Sequence, residues 1–281
     1  MMKKLSVLLI SALALMIASC TSVCDNSSKC KTKPRKIAVQ MWSLHDFTLA
    51  DALKQLQGVG TDAIECYPGQ TIGGKYPNAK LQAGIKPAEL EYAKKLIKDA
   101  GFKVVSFGVT TPFDEASIKA NCQLAASLGA KRILTEARVV DFPIWDKYCQ
   151  EYGLTMCLHH HALDAHNQYY DAYVVNKYTK PFKNIVGNPD IGHLVRSNIS
   201  AVETIKQLKG NIGSIHTKDE NAFGKMDSKA CILGKGFVDM PAVLKELDAQ
   251  GYDGYFVIEY EDDWGKNVPH IKACIEYLKN N

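Results

Sequence analysis

Three consecutive histidines, His159, His160 and His161, are the residues of this chain that are best suited to chemistry. They directly follow the apolar run 154–158, which is typical of a buried β-strand. Side chains alternate along a strand, so we expect His159 and His161 to face one side and His160 the other. Two imidazoles would then meet at one strand end, where they could bind a metal ion or transfer protons. A hydrogen-bonded loop cluster without a chemical role would show the same run.

Most of the other apolar runs are also followed by residues that could bind a ligand or transfer protons. These residues are Trp42, Glu65, Glu136, Asp190, His193, His216, Lys218 and Glu259. At the amino ends of the same runs, the polar residues are mostly Lys, Asp and Asn, and these are expected to lie at the ends of helices. If these strands form a parallel barrel, their carboxyl ends lie together at one mouth, so this asymmetry predicts a single site. Carboxylates and imidazoles crowded together need a partner, and a divalent cation would supply it. Oxygen and imidazole ligands suit Mn, Co, Zn or Mg. The sequence has no set of cysteines that would indicate a thiolate site for a softer metal.

The segments between these residues alternate between strand and helix eight times. Pro87 marks the first turn of one expected helix, Asp114 caps the next, and Gly129 ends it. The expected strands are residues 36–41, 63–66, 103–108, 132–135, 155–158, 185–188, 212–215 and 255–258. The expected helices are residues 49–56, a segment from 87, 114–129, 144–152, 166–178, 201–208, 240–250 and 268–278.

This alternation predicts an α/β protein with a parallel sheet. Residues 36–281 have the length of one (β/α)₈ TIM barrel, about 250 residues, and eight units favour barrel closure over an open, doubly wound sheet. An open sheet would carry a Gly-rich phosphate loop after its first strand. That position holds Trp42-Ser43-Leu44-His45 instead, so the sequence does not indicate a nucleotide site.

The N-terminus has the pattern of a bacterial signal sequence over residues 1–19. Lys3 and Lys4 precede an apolar run that is too short to span a bilayer comfortably. Residues 17–20, Ile-Ala-Ser-Cys, resemble the lipobox of bacterial lipoproteins, and this resemblance implies that Cys20 is lipidated; an ordinary cleaved signal peptide is the alternative. Residues 20–35 are predicted to be a flexible polar tether, and 36–281 the TIM-barrel catalytic domain. We therefore expect an exported lipoprotein, on the periplasmic side or the cell surface, that contacts the membrane through its lipid only.

Charge and cysteine content exclude other classes of protein. The formal charge of +4 falls to +2 once the two signal lysines are removed, and no basic stripe with interleaved aromatic residues appears, so nucleic acid is not an expected partner. The nine cysteines show no CxxC and no zinc-finger spacing, and most lie beside apolar residues. The sequence leaves a homo-oligomer open.

The chain beyond the tether resembles the xylose isomerase-like TIM-barrel superfamily, the sugar phosphate isomerase/epimerase group. The resemblance rests on the order and spacing of the motifs IAVQMWSL, IEC, DIGH, IHTKD, LGKGFVDM and VIEYE. Members of that group bind one divalent metal ion with carboxylates and a histidine from successive strand ends. These residues correspond to Asp190 of DIGH, His216 of IHTKD and Glu259 of VIEYE in this chain, so the resemblance implies that these three are ligands.

The fourth ligand is where this chain departs from one branch of the group. Ketose 3-epimerases have a glutamate after strand five that doubles as a base, whereas this chain has His159 there. The histidine run is similar to that of inosose dehydratases and related members with a YHNH or YHHH sequence. That similarity implies Glu136 as the fourth ligand, with His159 as the alternative. Glu136 could instead have a structural role and form an ion pair with Arg138 or Arg132.

The resemblance and the residue types together assign roles to the remaining residues. The expected catalytic groups are Glu136, Glu259, His161 and Lys218, and the expected substrate-binding residues are Trp42, Glu65, His159 and His193. Trp42 offers a ring on which the C–H face of a sugar can pack, and Glu65 could instead orient a neighbouring histidine. Glu261 is expected on a solvated rim.

The expected reaction is metal-assisted proton abstraction next to the carbonyl of an unphosphorylated sugar or keto-sugar, through an enediolate. Return of the proton gives an isomerase or epimerase, whereas loss of a hydroxyl or alkoxide gives an inosose dehydratase-like enzyme or a keto-glycoside lyase. Export argues against a phosphorylated substrate. A non-catalytic carbohydrate-binding lipoprotein is the alternative from another class. A DNA-directed hydrolase of the same fold would need more histidines and a basic surface.

Overall fold

The computed structural model describes residues 34–164 and 169–281. The predictions of a signal sequence, of lipidation at Cys20 and of a tether up to residue 33 lie outside these residues. So does the predicted start of a helix at His166. Within the described ranges, no helix has both the length and the apolar character needed to cross a membrane.

Eight parallel strands form a barrel, which confirms the predicted fold class. In chain order, and named below as the first to the eighth strand, they are Lys36–Gln40, Ala63–Cys66, Lys103–Thr110, Arg132–Thr135, Thr155–His159, Ile185–Asn188, Ile215–Thr217 and Tyr255–Ile258. The first strand pairs with the second and with the eighth. The sixth and seventh strands meet only through the single bridges Gly187–Ile212 and Asp190–His216, so the ring closes less regularly there.

Helices surround the strands, and their bounds are Leu49–Gln55, Pro87–Asp99, Glu115–Ser127, Phe142–Tyr152, Ala172–Thr179, Ile191–Arg196, Ala201–Gln207, Met240–Ala249 and Val268–Asn280. Several begin as their sequences predict: the Asp114 carboxylate accepts a hydrogen bond from the backbone of Ser117, and Pro87 occupies the first helical turn. The apolar helix faces and the outer strand faces share one continuous core, in which Trp145 and Phe107 are fully buried.

A second, smaller apolar cluster lies apart from that core and consists of Ala38, Ala63, Val105 and Val257. These residues belong to four adjacent strands, so we place them in the barrel interior. Side chains alternate along a strand, and the residues two positions beyond three of them face the same interior one layer higher. Those residues are polar: Gln40, Glu65 and Glu259. The strands themselves therefore carry a polar layer to the carboxyl end of the barrel.

Four elements differ from the sequence-based expectation. The seventh strand, which the sequence predicts at 212–215, lies at Ile215–Thr217, because Ile212 meets the sixth strand only through the single bridge to Gly187. The expected loop after the second strand is a hairpin, Gln70–Gly73 with Tyr76–Leu81. A short helix, Ile191–Arg196, was missed, and the helix predicted at 166–178 lies at Ala172–Thr179 within the described residues.

Candidate functional site

Asp190, His216 and Glu259 converge at the carboxyl end of the barrel. Asp190 caps the short helix, because its Oδ1 accepts hydrogen bonds from the backbone of Gly192 at 3.1 Å and of His193 at 3.0 Å. Its other oxygen, Oδ2, is left facing His216 Nδ1 at 3.5 Å, and Glu259 Oε2 lies 3.0 Å from the same nitrogen. The three candidate ligand atoms lie within 4.8 Å of one another, close enough to bind one cation.

Glu65 lies behind His216 and holds its ring in place. Its Oε1 is 2.8 Å from His216 Nε2, and it also accepts hydrogen bonds from Gln40, at 2.6 Å, and from the hydroxyl of Ser106. A carboxylate on Nε2 fixes the ring orientation and turns Nδ1 toward Asp190 and Glu259. Glu65 is fully buried and does not line the cavity, so its contacts favour the alternative from the sequence, in which it orients a neighbouring histidine, over contact with substrate.

Burial lowers the pKa of His216, but Glu65 and Glu259 raise it, and the net direction is well above the ordinary value. Burial likewise opposes the charge on Asp190, whose pKa is nevertheless held well below its usual range by the charge of Lys218. In the favoured state of this cluster, His216 and Asp190 are therefore both charged. Each charge is stabilised by its neighbours, so that state requires all of these side chains to keep their contacts.

Lys218 reaches into the same cluster from just beyond the seventh strand. Its Nζ lies 3.1 Å from Asp190 Oδ2, 2.9 Å from Glu259 Oε2 and 2.7 Å from Glu261 Oε2. Although burial lowers the pKa of this ammonium, the three carboxylates hold it well above its ordinary value. The Lys218 ammonium thus contacts the two carboxylate oxygens that would also bind a cation.

His159 separates Glu136 from the cluster. Glu136 Oε1 lies 3.1 Å from His159 Nδ1, while His159 Nε2 faces Asp190 Oδ2 at 3.6 Å. His159, Asp190 and His193 form a second group of close candidate ligand atoms, and among the described residues Glu136 belongs to neither group. The prediction that Glu136 is the fourth ligand is not what this geometry favours, because the His159 ring stands in between. Arg138, one of the arginines considered as an ion-pair partner of Glu136, binds Asp141 at 2.7 Å.

Four buried polar atoms of these groups have no well-directed hydrogen bond within the described part of the chain: Asp190 Oδ2, His159 Nε2, His193 Nδ1 and His216 Nδ1. Asp190 Oδ2 faces both His159 Nε2 and His216 Nδ1 across the distances given above. Asp190 Oδ2 keeps its ion pair with Lys218, and His216 Nδ1 lies close to Glu259. Buried polar atoms whose hydrogen bonding is nevertheless incomplete are unfavourable, so such atoms rarely collect at one point without a ligand. Their element types, carboxylate oxygen and imidazole nitrogen, suit Mn, Co, Zn or Mg.

A cavity of about 270 Å³ opens above the cluster. Its wall contains seven of the predicted site residues, namely Trp42, Glu136, His159, His161, His193, Lys218 and Glu259. His160 does not line it, as the strand alternation predicts. The rings of His161 and His193 lie 4.2 Å apart, and burial first, then Lys218, holds the pKa of His193 well below its usual value. His193 is therefore a neutral imidazole on the wall.

Sequence reasoning missed several wall residues, among them Gln40, Tyr67 and Glu261. Glu261 was expected on a solvated rim, but it contacts Lys218 and lies 3.7 Å from the guanidinium of Arg196. The spacing offered a signal, because Glu259 and Glu261 are two residues apart just past the eighth strand, where both can face the mouth. Arg196, which also binds Glu220 at 2.9 Å, carried no such signal because the helix that contains it was not predicted.

Residues 53–281 match the family described as "Xylose isomerase-like TIM barrel". An inosose dehydratase of Geobacillus thermodenitrificans strain NG80-2 is 24% identical, with 79% of this chain and 85% of that protein covered. An inosose dehydratase of Clostridium beijerinckii is 23% identical over the same shares of the two chains.

Solved structures share the fold at similarly low identity. An uncharacterised protein of Parabacteroides distasonis superposes with a TM-score of 0.71 at 23% identity, covering 88% of this chain and 98% of that one. A D-allulose 3-epimerase of a Methylomonas species superposes with a TM-score of 0.69 at 13% identity, with the same coverage of both chains.

Proposed function

We propose that this chain, which belongs to the xylose isomerase-like TIM-barrel family, is a metal-dependent isomerase or epimerase that removes a proton next to the carbonyl of an unphosphorylated sugar or keto-sugar. One observation carries the proposal: two carboxylate oxygens and one imidazole nitrogen converge within 4.8 Å of one another beneath a cavity of about 270 Å³. The sugar-acting names of the relatives support the same class of substrate.

The residues that would hold the cation are Asp190, His216 and Glu259, and His159 Nε2 is the fourth donor nearest to them. A divalent cation there would act as a Lewis acid and stabilise the negative charge that develops next to the carbonyl as the proton leaves. The donor set favours Mn, Co, Zn or Mg.

Two wall groups are suited to moving the proton. His193 is neutral, since burial and Lys218 keep its pKa low, and its imidazole can therefore accept a proton from a substrate carbon. Lys218 keeps its proton, since three carboxylates raise its pKa, and it can donate a hydrogen bond to a substrate oxygen. Glu136 orients the ring of His159 between these groups.

The charges of the cavity favour an unphosphorylated substrate. Among the described wall residues, the carboxylates Glu136, Glu259 and Glu261 outnumber the one ammonium, that of Lys218. That ammonium already contacts three carboxylates, at 2.7–3.1 Å. Neutral hydroxyl groups would find both donors and acceptors on this wall, whereas a dianionic phosphate would meet net negative charge before a cation binds.

The experiment is solvent hydrogen exchange. The purified protein, loaded in turn with Mn, Co, Zn or Mg, is incubated in D₂O with a panel of unphosphorylated ketoses, aldoses and inososes, and the sugars are analysed by NMR. The proposal expects deuterium at a carbon next to a carbonyl with wild type and none with Glu259→Gln. Tight metal binding without exchange on any sugar would favour the non-catalytic carbohydrate-binding lipoprotein.

A second outcome of the same chemistry, loss of water, is favoured by His159. Ketose 3-epimerases carry a glutamate at that strand end, so a two-glutamate mechanism lacks one of its bases here, and the relatives found by sequence are named inosose dehydratases. The same NMR samples separate the outcomes. An isomerase or epimerase gives a product of unchanged mass apart from deuterium, whereas a dehydratase gives a product lighter by one water.

We also propose, from the sequence of residues 1–20 alone, that the protein is exported and anchored through a lipid on Cys20. Metabolic labelling with a radioactive fatty acid would label wild type and leave Cys20→Ser unlabelled. Equal labelling of the two would contradict the anchor.

A further inference from the structure

An aromatic platform leads outward from the cavity, and we define it as the side chains of Trp42, His45 and Trp264. Trp42 forms part of the cavity wall and stacks on His45, with ring centroids 4.6 Å apart and an interplanar angle of 20°. The ring of His45 then meets that of Trp264 at 4.3 Å, edge to face. Both tryptophans are more than one-third exposed, so the platform presents apolar ring surface to solvent beside the cavity mouth.

The topology explains why these rings meet. The first and eighth strands are paired, so the segments that follow them lie side by side. Glu261, in the segment after the eighth strand, lines the cavity, and Trp264 stands three residues further on. The backbone turns at Trp264, where Lys266 N donates to Asp263 O at 2.8 Å and both Asp263 and Gly265 have positive φ. The turn thus holds Trp264 beyond the mouth and in line with Trp42.

Buried hydrogen bonds tie the two segments together beneath the platform. Asn267 is fully buried, and its amide donates to the backbone oxygen of Ser43 at 2.6 Å. The hydroxyl of Ser43 accepts from the backbone of Tyr260 at 2.8 Å. Because both segments are fixed in this way, the rings need little ordering when a ligand binds, and preorganised groups contribute more of their contact energy to affinity.

The size of the cavity indicates what the platform binds. Small-molecule sites span about 300–1,000 Å³, and at about 270 Å³ this cavity is near the size of one sugar ring. A second ring would have to lie outside, where the platform starts. Sugar rings present C–H faces to aromatic rings and hydroxyls to carboxylates, and Asp46, whose Oδ1 lies 3.4 Å from His45 Nε2, offers such an acceptor beside the platform.

From these observations we infer that the substrate is a glycoside of at least two sugar rings, with the reacting ring in the cavity and the second ring on the aromatic platform. This inference rests on the proposed function for the identity of the reacting ring. It goes beyond that function because it makes the ring that does not react a determinant of affinity.

Binding of defined sugars tests the inference without any need for turnover. Isothermal titration calorimetry measures the Kd values of cellobiose, maltose, lactose and trehalose and of glucose and galactose for the wild-type protein. We expect at least one disaccharide to bind about two- to twelvefold more tightly than its constituent monosaccharides, the range that one aromatic contact provides.

Three variants make the assignment specific. Trp264→Ala should remove the disaccharide advantage and leave monosaccharide binding unchanged, and Trp264→Phe should keep most of it. Phe237→Ala is the matched control, because Phe237 is an exposed aromatic residue that does not line the cavity, and it should keep the full advantage. Circular dichroism of each variant establishes that it is folded.

The inference is overturned if no disaccharide in the panel binds more tightly than its monosaccharides, or if the advantage survives in Trp264→Ala. It is also overturned if Trp264→Ala changes the oligomeric state on size-exclusion chromatography, since the rings would then form a contact between copies of the chain. Deuterium exchange on a monosaccharide without a disaccharide advantage refutes the platform alone. A disaccharide advantage without exchange on any sugar refutes the proposed reaction alone.

Discussion

The two ends of the barrel carry charges in opposite ways. At the amino ends of the strands, charged residues form separate pairs: Arg35 with Asp248 at 2.7 Å, Lys36 with Asp253 at 3.0 Å, and Lys103 with Asp62 at 3.1 Å. At the carboxyl ends a single oxygen, Asp190 Oδ2, has four cationic or imidazole neighbours within 4.0 Å, which are His159, His193, His216 and Lys218.

We infer from this difference that the charges at the amino ends keep the surface soluble, whereas the charges at the carboxyl ends form a binding site. A lysine or aspartate of an exposed pair can lose its partner to water at little cost, whereas a buried group cannot. At the carboxyl end each charge depends on several others, and some buried polar atoms still have no well-directed hydrogen bond among the described residues. Charges that are concentrated and incompletely satisfied at one end of a barrel indicate that this end binds something.

The largest expected effect comes from removing the shared carboxylate. Asp190→Ala should lower the free energy of unfolding by about 3–5 kcal/mol, because it removes the counter-charge that a buried ammonium and several imidazoles share and also removes a helix cap. Asp253→Ala, at the other end, should lower it by less than about 1 kcal/mol. Urea denaturation measures both, and equal losses would remove the distinction between the two ends.

A pH effect should follow from the buried ring just behind the cavity. Burial first, and then the charge of His159, lowers the pKa of His160 from 6.5 to about 3. Between these values the unfolded chain binds a proton that the folded chain does not, so stability should fall as pH falls from 6.5 toward 3, by about 1.4 kcal/mol per pH unit.

His160→Gln cannot bind that proton and should remove this slope. Urea denaturation of wild type and variant at a series of pH values measures the difference. Parallel pH profiles for the two proteins would show that His160 does not contribute.

The residue that orients His216 should matter more for metal affinity than for contact with a sugar. Glu65→Gln weakens the acceptor on His216 Nε2, and changes in such supporting residues lower metal affinity about 10- to 100-fold. Titration with Mn²⁺, followed by electron paramagnetic resonance, measures this loss. Glu203→Gln, on an exposed helix, is the control and should bind as wild type does. Unchanged affinity in Glu65→Gln would argue against His216 as a ligand.

The smallest expected effect has the opposite sign. Lys218 places a positive charge 2.9 Å and 3.1 Å from the two candidate ligand oxygens, so it should compete with a cation for them. Lys218→Met should therefore raise Mn²⁺ affinity, by about tenfold for a partly screened charge. A loss of affinity in this variant would mean that the ammonium supports the bound cation rather than competing with it.

The barrel could be predicted from the sequence because its signals are local. Apolar runs of four to eight residues, Asp114 as a helix cap and Pro87 in a first turn each act within a few residues. The seventh strand is misplaced because its start depends on pairing with the sixth strand, which at Ile212 is only a single bridge, and no local pattern encodes that pairing. The helix after Asp190 was missed because its six residues are too few to show a period.

The site residues were found for a similar reason, since parallel strands bring their carboxyl ends together whatever their exact bounds. Distances between side chains were beyond the sequence. It could not indicate that the ring of His159 stands between Glu136 and Asp190, or that Glu65 lies beneath the cavity rather than in its wall. Both depend on how the side chains at the carboxyl ends of the strands are directed in the folded barrel.

The central claim is that the charges at the carboxyl end bind a divalent cation, and metal content tests it most directly. The purified protein is reconstituted with Mn, Co, Zn and Mg in turn, dialysed, and analysed by mass spectrometry of the elements beside His216→Ala and Glu259→Gln. We expect about one equivalent of one of these metals per wild-type chain and none in either folded variant. No bound metal in wild type under any condition, or equal metal in all three proteins, would contradict the account.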